Sequence, residues 1–174
     1  MIGCRPVQFT IAQAGRRSAA MLETIMRKAM RLAGKRPLED MFILVVEDDS
    51  DAREMIKFVL EENGANVLVT DSMRAALEEY EKCRPDALIS DIGMPEYNGY
   101  ALIAKVRKLD RQTEVHTAAI AITGFVTSTD RDTALLSGFD AYMAKPFNPE
   151  RLVKSIALLA TARSRAARNV SRCA

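Results

Sequence analysis

The chain has 174 residues, of which 48% are hydrophobic, and this suits one domain with an ordinary buried core. It contains no apolar run of about 18 residues, so we expect no transmembrane helix, and its start lacks the pattern of a secretory signal. Cys4, Cys83 and Cys173 are widely spaced and odd in number, which predicts neither a disulfide framework nor a cysteine metal site. We therefore expect a cytoplasmic protein.

The net charge of +2 is distributed unevenly along the chain. Residues 1–40 contain eight basic and three acidic residues, and residues 161–174 contain four arginines and no acid. The segment between them contains 13 basic and 20 acidic residues. This pattern predicts a basic N-terminal extension over 1–40, helical or disordered, a folded domain over 41–160 and a basic tail over 161–174.

In the first half of that domain, short apolar runs alternate with an amphipathic segment. The runs at 42–46 and 66–70 predict strands, and the first is apolar enough to be buried on both faces. A helix is predicted between them, ending at Asn63–Gly64, and a second helix begins at Asp71 or Ser72 and runs to about Lys82. The stripe that predicts the first helix consists of Ala52, Met55, Ile56, Val59 and Leu60.

The second half of the domain continues this alternation. Strands are predicted over 86–90, 117–122 and 140–144. A helix over 128–137 ends at Gly138, and a last helix begins at Asn148–Pro149. Another helix follows the loop at 92–99, with an inner stripe of Leu102, Ile103, Val106 and Leu109.

Five strand–helix units in sequence predict an α/β fold with a five-stranded parallel sheet. Such units pair in parallel through right-handed crossovers, so we expect a doubly wound sheet with strand order 2-1-3-4-5. In sheets of this kind, ligands bind beyond the carboxyl ends of the strands. The residues that follow the strands are therefore the candidates for a functional site.

Polar residues stand at the carboxyl ends of four predicted strands. Glu47 and Asp48 follow the first strand, Asp91 the third, Thr123 the fourth and Lys145 the fifth. Three carboxylates at one edge would repel one another unless a hard cation such as Mg²⁺ lies among them. A lysine and a hydroxyl on the other side suit the oxygens of a phosphoryl group, and a carboxylate can itself accept that group.

Four short segments carry these residues. They are ILVVEDD at 43–49, SDIGMP at 90–95 followed by Asn98–Gly99, ITG at 122–124 and YMAKPF at 142–147. Together, and in this order over about residues 41–160, they resemble the signature segments of the response-regulator receiver family of two-component signalling. The resemblance implies a flavodoxin-like receiver fold.

The resemblance also implies a role for each polar side chain. Asp91 matches the phosphoryl acceptor, while Thr123 and Lys145 match the hydroxyl and the ammonium that contact the phosphoryl group. Tyr142 matches an aromatic residue that turns inward on activation, so that Thr123 and Tyr142 form the implied switch. The bond between Lys145 and Pro146 matches one that is cis in the family.

Mg²⁺ is the cofactor that the resemblance implies. Asp48 and Asp91 match residues that bind the ion directly, and the backbone carbonyl of Gly93 matches a further ligand. Glu47 matches an acid that acts through a water molecule.

On this interpretation the chain is a stand-alone receiver in a phosphorelay, acting as a switch and not as an enzyme. Its phosphoryl donor would be a sensor histidine kinase or a histidine phosphotransfer protein, and its downstream protein is unknown. Two alternatives stay open: a receiver fragment of a hybrid kinase or larger regulator, and an aspartate-based phosphohydrolase, which would want an acid where Gly93 stands. Direct nucleic-acid binding is not expected, because the middle of the chain is acidic and interleaved aromatic residues are lacking.

Overall fold

Short apolar strands form a parallel sheet that is covered by helices on both faces. The computed structural model describes residues 34, 36–94, 99–113, 115–124 and 127–170, and contacts divide the chain after Arg36. The strands are β1 (Phe42–Val46), β2 (Asn66–Thr70), β3 (Ala87–Asp91), β4 (Ala118–Thr123) and β5 (Ala141–Ala144). The helices are α1 (Ser50–Glu62), α2 (Met73–Cys83), α3 (Gly99–Thr113), α4 (Ser128–Ser137) and α5 (Pro149–Val170).

The sheet has the order β2-β1-β3-β4-β5, and each neighbouring pair is parallel. This confirms the predicted fold class and strand order. β3 and β4 are buried along their whole length, as expected for central strands that have helices on both faces.

Successive side chains of each strand point to opposite faces of the sheet, and this divides the core into two layers. In β1, Ile43 and Val45 face a layer that α1 and α5 cover, while Leu44 and Val46 face a layer that α2 and α3 cover. The first layer includes Ile56, Leu60, Ile120, Leu152 and Ile156, and the second includes Tyr80, Leu88, Leu102, Ile103 and Val106.

Local signals place the helix ends close to their predicted positions. The Asp49 side chain accepts a hydrogen bond from the Ala52 N–H at 2.7 Å and caps α1. Thr127 and Asp130 form a reciprocal capping box at the start of α4, which ends at Gly138 with φ 117°.

Several sequence predictions need correction. Met55 is 50% exposed and does not belong to the buried stripe of α1. Strands β3, β4 and β5 each begin one residue later than predicted, because Asp86, Thr117 and Asp140 precede the ladders and bond to neighbouring segments through their side chains. Ser72 caps α2 by position, but its side chain makes no capping hydrogen bond.

Some predictions fall on residues whose structure is not described. Residues 1–33 of the predicted extension, Pro95 and Asn98 of the signature loop, and residues 171–174 lie outside the described ranges. Within those ranges, none of the helices combines the length and apolar character that crossing a bilayer requires.

Candidate functional site

The register of the sheet brings the predicted polar residues to one edge. Val46 pairs with Ser90, so that Glu47 and Asp91 follow at the same level of neighbouring strands. Asp91 pairs with Ile122, and Thr123 pairs with Ala144. The carboxyl ends of β1, β3, β4 and β5 therefore meet where the sequence predicts a site.

Lys145 joins the two buried carboxylates at this edge. Its Nζ donates to Oδ2 of Asp91 at 2.6 Å and to Oε1 of Glu47 at 2.8 Å. Glu47 is fully buried and Asp91 nearly so, which strengthens both contacts relative to those of exposed ion pairs. The Lys145–Pro146 peptide bond is cis, as predicted.

The protonation of these groups reflects burial and pairing. Burial raises the pKa of Glu47 above its usual value, and the nearby Asp91 adds to the shift against the opposing effect of Lys145. Burial alone would lower the pKa of Lys145, but its hydrogen bonds to Asp91 and Glu47 outweigh that effect and raise it. Lys145 is therefore a stable cation within the acidic site.

Glu47, Asp48 and Asp91 form an acidic cluster that fits a hard divalent cation. One carboxylate oxygen from each lies within 4.8 Å of the others. Oε2 of Glu47 is buried and pairs with Lys145 Nζ at 2.7 Å. Carboxylate oxygens grouped this closely suit a hard divalent cation or its bound water, and Asp48 is exposed to solvent.

The loop after β3 holds the Asp91 carboxylate in place. The Gly93 N–H donates to Oδ1 of Asp91 at 2.7 Å, so the two carboxylate oxygens have separate partners. Gly99 begins α3 directly behind this loop, where a Cβ atom would lie 2.6 Å from the Asp91 carbonyl oxygen. A side chain at position 99 would therefore push the loop or the helix away from the acceptor.

Thr123 and Tyr142 lie on the neighbouring strands β4 and β5. Thr123 is fully buried at the end of β4, and its carbonyl accepts a hydrogen bond from the Lys145 N–H at 2.8 Å. Tyr142 on β5 is half-buried against the second core layer, as is Tyr100 of α3. Burial and the charge of Asp130 raise the pKa of the Tyr142 phenol, which is neutral at ordinary pH.

Arg53 is a residue of this site that the sequence analysis missed. Its Nη1 donates to the carbonyl oxygens of Glu47 at 2.7 Å and of Asp48 at 3.2 Å. These bonds fix the turn that carries both acids and bring a cation close to them. An arginine four residues after a helix cap suggests only solvent exposure, because backbone acceptors leave no trace in the sequence.

Comparison with known protein families identifies the chain. The family model of the response regulator receiver domain matches residues 43–157, which include β2 to β5, all of β1 except Phe42, and each residue of the acidic cluster. The chain belongs to the response regulator receiver family.

Proteins from several organisms resemble this chain. It is similar to a 14.6 kDa protein from the sodA1 3′ region of Leptolyngbya boryana, at 41% identity over 68% of this chain and 89% of the relative. It is also similar to the sensor histidine kinase CheAY of Helicobacter pylori, at 31% identity over 75% of this chain but only 16% of the kinase. A receiver-domain crystal structure from Clostridium thermocellum aligns with a TM-score of 0.67 and 26% identity over 72% of this chain and 98% of that chain.

These comparisons establish the family, while the chemical roles of individual residues stay predictions. The receiver spans most of the first relative but a small part of the kinase, so the activity and partners of such larger proteins do not transfer to it directly. The geometry does bring Glu47, Asp48, Asp91 and Lys145 together as predicted.

Proposed function

We propose that this receiver is a phosphorylatable switch in which Asp91 accepts a phosphoryl group from the phosphohistidine of a sensor kinase or phosphotransfer protein. The observation that carries the proposal is the bridge from Lys145 to Asp91 and Glu47 beside the exposed Asp48. This arrangement supplies a nucleophile, a cation-binding acidic cluster and a positive charge for phosphoryl oxygens. A cytoplasmic setting, where such kinases present their phosphohistidines, belongs to the proposal.

In the proposed reaction, a carboxylate oxygen of Asp91 attacks phosphorus in line with the leaving nitrogen of the donor imidazole. The oxygen–phosphorus bond forms as the nitrogen–phosphorus bond breaks, and the bonding electrons return to the imidazole. Lys145 then contacts a phosphoryl oxygen in place of its present bond to Asp91. The product is an aspartyl phosphate, and no metabolite is converted.

Mg²⁺ is the cation that this chemistry requires, and it would neutralise charge on the phosphoryl oxygens when bound. We propose that Asp48 and Asp91 bind it directly, that Glu47 acts through water and that the Gly93 carbonyl completes the protein ligands. The acidic cluster of Glu47, Asp48 and Asp91 supports this assignment.

The output of the switch would be a change of surface beside Thr123 and Tyr142. A phosphoryl group on Asp91 would attract the Thr123 hydroxyl, and Tyr142 would move into the space that this leaves. Thr123 ends β4, and Tyr142 lies on the neighbouring strand β5 opposite Ala121, which supports this part of the proposal.

The direct test is incubation with acetyl phosphate and Mg²⁺, followed by mass spectrometry of the intact protein. We expect one phosphoryl group in the natural protein and none in Asp91→Ala. Asp71→Ala, which removes an exposed acid at the end of the edge strand β2, is the matched control and should be phosphorylated normally. Full modification of Asp91→Ala would show that the acceptor lies elsewhere.

A further inference from the structure

A second cluster of buried polar groups lies at the opposite end of the sheet from the phosphorylation site. It is formed where α3 meets the segments that lead into β4 and β5. Its members are Tyr80, Arg107, Asp110, Thr117 and Asp140, and none of them takes part in the proposed phosphoryl chemistry.

Arg107 is the centre of this cluster. Although it is charged, it is only 9% exposed. Its Nη1 donates to Asp110 at 2.7 Å and to the Thr117 carbonyl at 2.6 Å. Its Nη2 donates to Asp140 and its Nε donates to the Gly138 carbonyl, both at 2.8 Å. The planar guanidinium thus reaches four groups that a lysine ammonium could not bridge together.

Asp140 connects this arginine to the start of β5. Its Oδ2 accepts from Arg107 and also from the Ala119 N–H of β4 at 2.8 Å, while its Oδ1 lies 2.7 Å from His116 Nε2. The residue before β5 is therefore tied by its side chain to both α3 and β4. Gly138, which caps the end of α4, accepts a hydrogen bond from the same arginine through its carbonyl.

On the inner side of the cluster, Tyr80, Asp110 and Thr117 are joined by hydrogen bonds. Asp110 accepts hydrogen bonds from the Tyr80 hydroxyl and from the Thr117 N–H. Burial and this contact with Asp110 raise the pKa of Tyr80 to about 12, so the phenol stays a donor at ordinary pH. A buried network with every member bonded specifies one arrangement of its segments.

β5 needs such an anchor because it is a short edge strand. It has four residues and pairs only with β4 in the described sheet. Its other end leads directly to Lys145, which bonds to Asp91 and Glu47. A shift by one residue would move Lys145 by about 3.3 Å and turn alternate side chains to the opposite face.

We propose that the Arg107 network anchors the end of α4 and the start of β5, and thereby positions Tyr142 within that strand and Lys145 just beyond its far end. Arg107 is on this view a positioning residue that acts through β5. The consequence for phosphorylation rests on the proposed function, whereas the anchoring itself does not.

The test compares Arg107→Lys with Arg111→Lys, an exposed arginine on the same helix. Amide hydrogen exchange is measured without ligand. We expect Arg107→Lys to speed exchange at Gly138 and across β5 by about tenfold, with a much smaller change in β1 and β3. Arg111→Lys should resemble the natural protein. Equal acceleration in all strands, or none in β5, would overturn the anchor.

The second readout is phosphorylation by acetyl phosphate. A misplaced Lys145 should slow it about three- to tenfold in Arg107→Lys, with Mg²⁺ affinity unchanged because the acidic cluster is intact. An unchanged rate would overturn the positioning of Lys145. If the natural protein is not phosphorylated at all, the proposed function fails, and hydrogen exchange still decides the anchor. Asp140→Asn, which keeps the shape of the side chain, provides the same comparison should Arg107→Lys not fold.

Discussion

Lys145 and Asp91, which are 54 residues apart in the chain, form an ion pair with an Nζ–Oδ2 distance of 2.6 Å. The same ammonium contacts Glu47, so one cation holds together two carboxylates that would otherwise repel each other. The site is consequently assembled by the fold, since its members come from three strands.

Replacing Lys145 should therefore affect both stability and chemistry. We expect Lys145→Ala to lower the free energy of unfolding by about 1–3 kcal/mol, because two buried acids lose their partner. Added Mg²⁺ should recover part of this loss, since a bound cation replaces the missing charge. Urea unfolding with and without Mg²⁺ measures both effects, and exposed Lys108→Ala is the control. A loss that is independent of Mg²⁺ would contradict cation binding at this cluster.

Arg53 should matter for the metal more than for the fold. Its bonds to the carbonyls of Glu47 and Asp48 hold the acidic turn in shape. We expect Arg53→Ala to weaken Mg²⁺ binding by roughly 1 kcal/mol, about fivefold in Kd, and Arg53→Lys to restore part of it. Titration calorimetry measures the affinity. Arg74→Ala, which removes an exposed arginine of α2, should leave the Kd unchanged.

Leu38 makes the start of the folded domain testable. It lies before the predicted boundary at residue 41, yet it is fully buried, and its N–H donates to the Asn63 carbonyl at 3.0 Å. A chain that begins at residue 37 should match the full protein in stability. One that begins at residue 41 should lose about 1.5–3 kcal/mol, the value of burying a leucine side chain. Equal urea midpoints for the two shortened chains would show that Leu38 contributes nothing.

Most of the fold could be predicted because the apolar pattern changes period clearly. Five short apolar runs separated by amphipathic stripes predict the alternation of strands and helices, and polar residues at the strand ends predict the site. The predicted boundary at residue 41 excludes Leu38 because it rests on the charge distribution. A charge pattern cannot show that one uncharged leucine before the boundary is buried. The net charge of a segment does not depend on which of its side chains are packed in the core.

The Arg107 network could not be predicted for a different reason. Arg107 and Asp110 lie among the charged residues of α3, where a sequence pattern indicates solvent. Arg107 donates to acceptors of Gly138, Thr117 and Asp140, and Asp110 accepts from Tyr80 and Thr117, so the burial of both depends on residues outside α3. Tertiary hydrogen bonds of this kind have no periodicity, so composition alone assigns such residues to the surface.

Tyr80 predicts a specific response to alkaline pH. Its folded pKa of about 12 lies above the usual value of 10.0, so the native state keeps a proton that the unfolded state loses. The contribution of the protonated Tyr80 phenol to the free energy of unfolding is complete below pH 10 and is lost as the pH rises toward 12. We expect absorbance at the tyrosinate band to show one phenol ionising late, and Tyr80→Phe to remove that late step. A late step that persists in Tyr80→Phe would assign it to another tyrosine.

A groove beside β5 is the surface where phosphorylation should be detected. It has a volume of about 460 Å³ and lies between α4 and α5, with Tyr142 on its floor. Arg131 and Leu135 line one wall, and Arg151 and Ser155 line the other. A switch that moves Tyr142 would reshape this groove, and a differential contact energy of a few kcal/mol is enough to shift the population.

Chemical shifts in the presence of Mg²⁺ and beryllofluoride, a phosphoryl mimic, test this switch. We expect the largest changes in β5 and in the groove-lining residues of α4 and α5. Tyr142→Ala should bind the mimic with similar affinity, because Asp91 and Lys145 are intact, but should lose most of the change in the groove. Tyr142→Phe keeps the ring and should retain it. Changes confined to the residues around Gly93, with the groove unaffected, would exclude Tyr142 as the element that carries the signal.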